Sequence, residues 1–232
     1  MDVAIGSLET PLGRLAFACT AEGLCGLSFR DTPRARALLR SGLPLADAPA
    51  RTEPVREQLT AYFADGLRGF DLPIDWRHTS GAQREVLEKL YAGVSYGETV
   101  TYGRLADLSG TGVPARAIGS IMGSNPIPIV VPCHRVVATD GLGGYSGGSG
   151  VEVKRWLLTM EGAIPATLDW DPAAGPGFNE LKVPAAERGQ PVPDDATSLI
   201  SRDTEGDRAA AARFITEVLE RDGRWLDDLE SR

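Results

Sequence analysis

Prolines at positions 126, 128 and 132 punctuate an otherwise apolar run, Asn125-Pro126-Ile127-Pro128-Ile129-Val130-Val131-Pro132, and this run constrains the chain more than any other stretch. A proline lacks the amide hydrogen that a helix interior needs and its ring clashes with the preceding turn, so the segment cannot be helical. Its Ile and Val side chains still require burial. We therefore expect a buried extended segment that delivers the next residue, Cys133, from the core. His134 follows directly. A thiol is a good nucleophile only as thiolate; a nearby imidazole can take its proton, and a carboxylate behind the imidazole fixes the tautomer and stabilises the cation. Glu161 is a candidate for that third place. Neighbours in an extended strand point to opposite faces, so contact between Cys133 and His134 requires a turn after Pro132 or a bridging water. Taken alone, a Cys-His dipeptide is more often structural than catalytic.

The rest of the chain reads as α+β. Residues 3–29 alternate apolar and polar positions around Thr10-Pro11-Leu12-Gly13 and Ala21-Glu22-Gly23, the pattern of a small antiparallel meander. Arg34 to Arg40 suits one or two helical turns, Val55, Leu59, Tyr62 and Phe63 recur at helical spacing, and residues 70–76 read as an edge strand. A mostly helical unit begins near Ser80, where Ser80-Gly81-Ala82-Gln83 has the form of a capping box opening a helix that stops at Gly93. Thr101 can cap a short helix with Leu105 and Leu108 inward; Gly110-Thr111-Gly112 makes a tight turn, and Pro114 sits at the first position of a further helix running to Gly123. That is helix-turn-helix spacing. The second helix carries the small residues Ala115, Gly119, Ser120 and Gly123, with Arg116 projecting near its start; tight helix packing alone would also explain such a stripe. A glycine-dense loop spans 141–148, and residues 151–161 form an amphipathic helix with Trp156, Leu157 and Met160 before Gly162. The expected domains are 1–77, 78–162 and a C-terminal extension, 163–232, in which a proline-rich linker (163–193) precedes helical periodicity through 206–230.

Composition narrows the function classes. No stretch approaches the roughly 20 apolar residues of a membrane span, and the N-terminus lacks the basic and apolar regions of a secretory signal, so we expect a cytoplasmic protein. Three cysteines without a CxxC spacing argue against a disulfide framework. Cys19 and Cys25 read as core fillers; with His78 they are the only metal-ligand candidates, a fourth is not visible, and no metal is expected. The net charge of -8 is concentrated at the end: residues 163–232 hold 15 acidic and 8 basic groups, leaving 17 and 16 for residues 1–162. Any nucleic-acid contact must then rest on a few placed groups, with a shallow salt dependence.

The wider constellation resembles one family closely. Asn125-Pro126 and the run into Pro132-Cys133-His134-Arg135-Val136, then Gly144-Tyr145-Ser146-Gly147-Gly148 and Lys154 to Gly162, match in order and spacing the active-site signature of the O6-methylguanine-DNA methyltransferases, also called methylated-DNA-protein-cysteine methyltransferases. The resemblance continues through Tyr102-Gly103-Arg104-Leu105-Ala106 and Ala115-Arg116-Ala117-Ile118-Gly119, and less distinctly through the Thr10 hairpin, covering about residues 1–162. It implies direct-reversal DNA repair: irreversible, single-turnover transfer of the alkyl group of O6-alkylguanine, with O4-alkylthymine as a further substrate, onto Cys133 after the base is flipped from duplex DNA. His134 would take the thiol proton through a water, Glu161 would orient His134, and Asn125 would brace the turn before the active-site segment. Tyr102 would hydrogen-bond N3 of the guanine and Arg116 would fill the space the base leaves. Ala115, Gly119, Ser120 and Gly123 would let the helix approach the minor groove, with Arg135 among the contacts. The carbonyls of Cys133 and Val136 would read the exocyclic amine, the Ser146 amide would donate to O6, and Tyr145 would line the pocket. Neither metal nor S-adenosylmethionine is implied. The acidic extension has no counterpart in the pattern and is either a solvated appendage, a segment docking on the body or a recruiter of a protein partner.

Two other classes compete. An alkyltransferase-like binding module would keep the fold and the arginine but replace the nucleophile, and Cys133 stands against it. A cysteine hydrolase using Cys133 and His134 would turn over an ester or peptide.

Overall fold

Thr10 shapes the first turn of the chain: its hydroxyl donates to the Gly13 carbonyl at 2.7 Å and accepts from the Leu12 amide at 3.1 Å. Strands β1 (Ala4–Thr10) and β2 (Gly13–Cys19) pair antiparallel with Leu8 opposite Leu15, and β3 (Leu24–Ser28) adds to β2 with Phe17 opposite Leu27, giving the order β1-β2-β3. The structure is a computed structural model describing residues 1–166 and 175–176. Most of the expected 163–193 linker and the whole 206–230 helical stretch lie outside the described residues.

The central strand β2 is buried on both faces, which is why it runs Leu15-Ala16-Phe17-Ala18-Cys19 without a polar break. Helices α1 (Pro33–Arg40) and α2 (Pro49–Phe63) flank the sheet, α1 capped by Thr32, whose side chain accepts from the Ala35 amide at 3.1 Å. Helix α2 starts six residues before the periodic stretch at Val55, with Pro49 in its first turn, where a missing amide costs nothing. The expected edge strand at 70–76 is reduced to a single parallel bridge between Leu24 and Ile74, held by Leu24 N–H to Pro73 O and Asp75 N–H to Leu24 O, both 2.9 Å. Pro73 has no amide to extend the ladder.

The helical part follows. Helix α3 (Gly81–Gly93) buries Val86, Leu87 and Leu90; Ser80 is its N-cap, and the Gln83 amide reaches the Ser124 hydroxyl at 2.9 Å. A two-residue strand β4 (Val100–Thr101) leads into α4 (Tyr102–Ser109), whose first turn is capped by Thr101 Oγ1 accepting from Arg104 N–H at 3.1 Å. Leu105 is buried, but Leu108, expected inward, is 45% exposed: an eight-residue helix has room for one inward row, which Leu105 and Ser109 occupy. Gly110 and Gly112 both hold positive φ, 67° and 75°, a conformation side chains resist, and they turn the chain into α5 (Ala115–Gly123). Pro114 is the N-cap of α5 rather than its first residue. Helix α6 (Val151–Met160) buries Val153, Trp156 and Leu157. One hydrophobic cluster joins Leu15 and Phe17 of the sheet to Leu87, Leu90, Ile118, Trp156 and Leu157 of the helices. Each such buried aliphatic or aromatic side chain contributes roughly 1.5–3 kcal/mol.

Candidate active site

The proline-rich segment is buried as expected, with Ile127, Ile129 and Val131 at 0% exposure, but it is a tight turn and not an extended strand. Ile129 sits at φ 74°, and the Val131 amide closes back on Ile127 O at 2.9 Å. Asn125 braces this turn from inside: its side-chain oxygen accepts from the Ile127 amide at 3.0 Å and its NH2 donates to Val131 O at 2.8 Å. The N-terminal sheet adds Leu27 N–H to Pro126 O at 2.8 Å. A β-branched residue in the left-handed region is costly, and these bonds hold it there.

Cys133–Arg135 then form a single 3-10 turn, the bend that an adjacent Cys-His pair needs to face a common site. The following strand β5 (Val136–Val137) pairs in parallel with β4, Val100 opposite Val136. That pairing sets Tyr102, the first residue of α4, beside the cysteine. A cleft of about 560 Å³ opens here. Tyr102 lines it from α4, Ala115, Arg116, Gly119, Met122 and Gly123 from α5, Gly144, Tyr145 and Ser146 from the glycine loop, and Cys133 from its turn. Met122 and Gly144 are the lining residues to which the sequence assigned no role. The loop is fastened by Tyr102 O–H to Gly144 O at 3.3 Å and Ser146 O–H to Gly123 O at 3.2 Å. Gly143, at φ 69°, must be glycine, because a Cβ there would lie 2.9 Å from the Tyr102 ring.

Behind the cleft lies a buried polar network. His134 and Glu161 have fully buried side chains, and His134 Nε2 meets Glu161 Oε1 at 3.0 Å. Arg135 clamps the same carboxylate twice, Nε to Oε2 and Nη2 to Oε1, each 2.9 Å, and donates Nη1 to Val94 O at 2.8 Å. Expected among the DNA-facing residues, the Arg135 guanidinium is thus turned away from the cleft, because a buried Glu161 needs a cation to stay charged. Val136 is likewise buried, its carbonyl accepting from Lys154 Nζ at 2.6 Å. Ser120 lies on α5 but outside the cleft lining.

The electrostatics separate this cysteine from the others. Burial pushes Cys19 up to about 12 and Cys25 up to about 11, leaving both inert thiols. Burial raises Cys133 as well, but the Asn125 amide, the Tyr145 hydroxyl and the Lys154 ammonium all oppose it by favouring the thiolate. Burial lowers His134, against the pull of Glu161, so the imidazole rests neutral. Burial alone would raise Glu161, but His134 and Arg135 hold it far below the ordinary carboxylate range. With Nε2–H given to the carboxylate, Nδ1 is the ring nitrogen able to take a proton, and it has no partner among the described residues. Cys19 and Cys25 pack in separate clusters, and no group of three potential ligands among the described residues could hold a metal ion.

Fold and site together define a class: a helix-turn-helix protein whose cleft exposes one shielded, donor-flanked thiol backed by a His-Glu pair. Comparison with known proteins narrows the class. Residues 3–76 match the ribonuclease-like domain, and residues 81–163 the DNA-binding domain, of 6-O-methylguanine DNA methyltransferase. Methylated-DNA-protein-cysteine methyltransferase of Mycobacterium tuberculosis is 47% identical over 156 residues, 67% of this chain and 90% of that protein. The human protein of that name is 37% identical over 172 residues, 67% and 79% of the two chains. The crystal structure of Mycobacterium tuberculosis OGT in complex with DNA superposes with a TM-score of 0.58 at 36% identity, covering 69% of this chain and 93% of that one. The chain belongs to the methylated-DNA-protein-cysteine methyltransferase family.

Proposed function

We propose that this protein repairs alkylated DNA directly, moving the alkyl group from O6 of a flipped-out guanine to Cys133, once per molecule. The observation that carries the reading is the Cys133 thiol at the cleft floor, 4% exposed, with donors that favour its thiolate and a neutral His134 whose free nitrogen can serve as base. In the transfer, His134 Nδ1 takes the thiol proton through a solvent molecule, the sulfur attacks the alkyl carbon, and the carbon–O6 bond breaks with its electron pair passing to the purine. Tyr102 hydrogen-bonds N3 as charge develops, and the guanine ring gains a proton in place of the one lost from the thiol. The sulfur–carbon bond formed is a thioether, which water does not cleave, so the protein is consumed.

A duplex hides O6 from a buried sulfur, and extruding the nucleotide costs a few kcal/mol. Arg116, exposed at the start of α5, would stand in for the lost base, while Ala115, Gly119 and Gly123, without bulk, would admit the minor groove. Groove reading there is degenerate, which suits a sensor of damage in any sequence. The Ser146 amide would donate to O6, and the carbonyls of Cys133 and Val136, each retaining a second lone pair, would read the exocyclic amine. O4-alkylthymine presents a similar alkoxy group and is the second substrate to test. Three free thiols fit a reducing cytoplasm.

The test is stoichiometric. Increasing amounts of duplex containing O6-methylguanine should yield restored guanine up to one per protein molecule and no further. Tight binding without restoration would favour the damage-recognition module, and continued turnover would favour a hydrolase-like cycle.

A further inference from the structure

The Glu161 carboxylate has one more partner, and it comes from the other half of the molecule. Tyr62, near the end of α2, is 1% exposed, and its hydroxyl donates to Glu161 Oε1 at 2.6 Å across 99 residues of sequence. Its ring is wedged among Phe63, Phe70 and Tyr96, at centroid distances of 5.3, 5.2 and 6.1 Å. A phenylalanine would pack there equally well, so the hydroxyl answers to the carboxylate. Oε1 therefore accepts from three groups, Tyr62, His134 and Arg135, while Oε2 accepts from Arg135 alone. Donors on one oxygen share its charge.

We infer that Tyr62 is a positioning residue for the alkyl transfer: it holds Oε1 of Glu161 in place and limits how strongly that carboxylate grips the His134 proton. The inference rests on the reading of His134 as the base for Cys133. The other groups facing the pair are Arg135 from the 3-10 turn, Lys154 from α6, Tyr96 from the loop after α3, and Tyr145 at the cleft; Arg135 and Lys154 both disfavour a cationic His134, and a change at Tyr62 leaves all of them in place. Without the phenol, more carboxylate charge bears on His134 and the imidazolium gains. A base that is already protonated cannot accept the thiol proton.

The experiment measures the rate of transfer from free O6-benzylguanine against pH for the full-length protein, for Tyr62→Phe, and for protein with 3-fluorotyrosine placed at position 62, a stronger donor of the same shape. For Tyr62→Phe the acid limb of the profile should move up by about half to one unit, a loss of about 3- to 10-fold on that limb below the parent's own midpoint, with the rate near pH ~8.5 within about twofold of the parent. The fluorinated form should move the limb the other way. An equal loss at every pH, limbs unmoved in both forms, or limbs moving in the same direction would overturn the inference. Should Tyr62→Phe fail to fold, the direction given by the fluorinated form decides. Failure of the unmodified protein to alkylate Cys133 would instead sink the underlying reading.

Discussion

Replacing Glu161 with glutamine removes one charge from a site buried away from bulk solvent. The Glu161 side chain is 0% exposed and Arg135 is 8% exposed, and the carboxylate receives bonds from Tyr62, His134 and two nitrogens of Arg135. Glutamine can keep one acceptor but turns an NH2 group on donors that need an oxygen, and it strands the Arg135 charge. Breaking a buried pair in this way costs about 3–5 kcal/mol. For a chain of this size that is a fall of roughly 6–20 °C in Tm. Urea unfolding at pH 7 should report it as a lower midpoint at unchanged slope. The pH dependence follows from the sign of the shift. A carboxyl held below its unfolded value of about 4.3 contributes stability that is complete above that value and is lost as pH falls further. The gap between parent and Glu161→Gln should thus be full from pH ~5 to ~8 and narrow below ~4. As a control, Glu161→Leu combined with Arg135→Met should lose about 2 kcal/mol less than the sum of the single changes. A loss under about 1 kcal/mol, or a gap unchanged down to pH ~3, would refute the account of this network.

Arg116→Ala should slow repair in duplex DNA at least about tenfold while leaving reaction with free O6-benzylguanine near the parent rate, since only the duplex requires a substitute for the flipped base; equal losses on both substrates would contradict that role. Gly119→Ala meets no atom within 4 Å, so it should keep or raise stability by up to ~1 kcal/mol, measured by thermal melting, yet weaken binding to duplex several-fold because α5 can no longer approach as closely. Ending the chain after Ala166 should leave transfer to Cys133 within about twofold and tighten binding to undamaged duplex at low salt, because residues 163–232 carry 15 acidic against 8 basic groups; filter binding and a single-turnover assay separate the two effects.

The meander, the helix-turn-helix and the cysteine's neighbours were legible in the sequence because each rests on local chemistry: turn residues at Thr10–Gly13 and Ala21–Gly23, glycines at the 110–112 turn, a Thr101 cap, and a Pro-Cys-His motif; the alternation expected of residues 3–29 fails in β2, which is buried on both faces. What was hidden depends on partners distant in the chain. Periodicity marks Tyr62 as core, but nothing local says that its hydroxyl meets Glu161. Arg135 beside a motif histidine suggests an exposed contact, and only the fold reveals that it neutralises a buried carboxylate. The turn at Ile129 is concealed for another reason, since a β-branched residue argues against positive φ and the Asn125 bonds override that preference. The short parallel pairing of Val100 with Val136, which brings Tyr102 to the cysteine, joins segments of two residues each, too brief to leave a pattern.

The central claim is that one sulfur receives the alkyl group, and peptide mapping by mass spectrometry addresses it directly. After incubation with duplex containing O6-methylguanine, the peptide holding Cys133 should gain the mass of one methyl group, while those holding Cys19 and Cys25 stay unchanged. A restored guanine with an unmodified Cys133 peptide, or a methyl group found on either of the other two cysteines, would contradict the account.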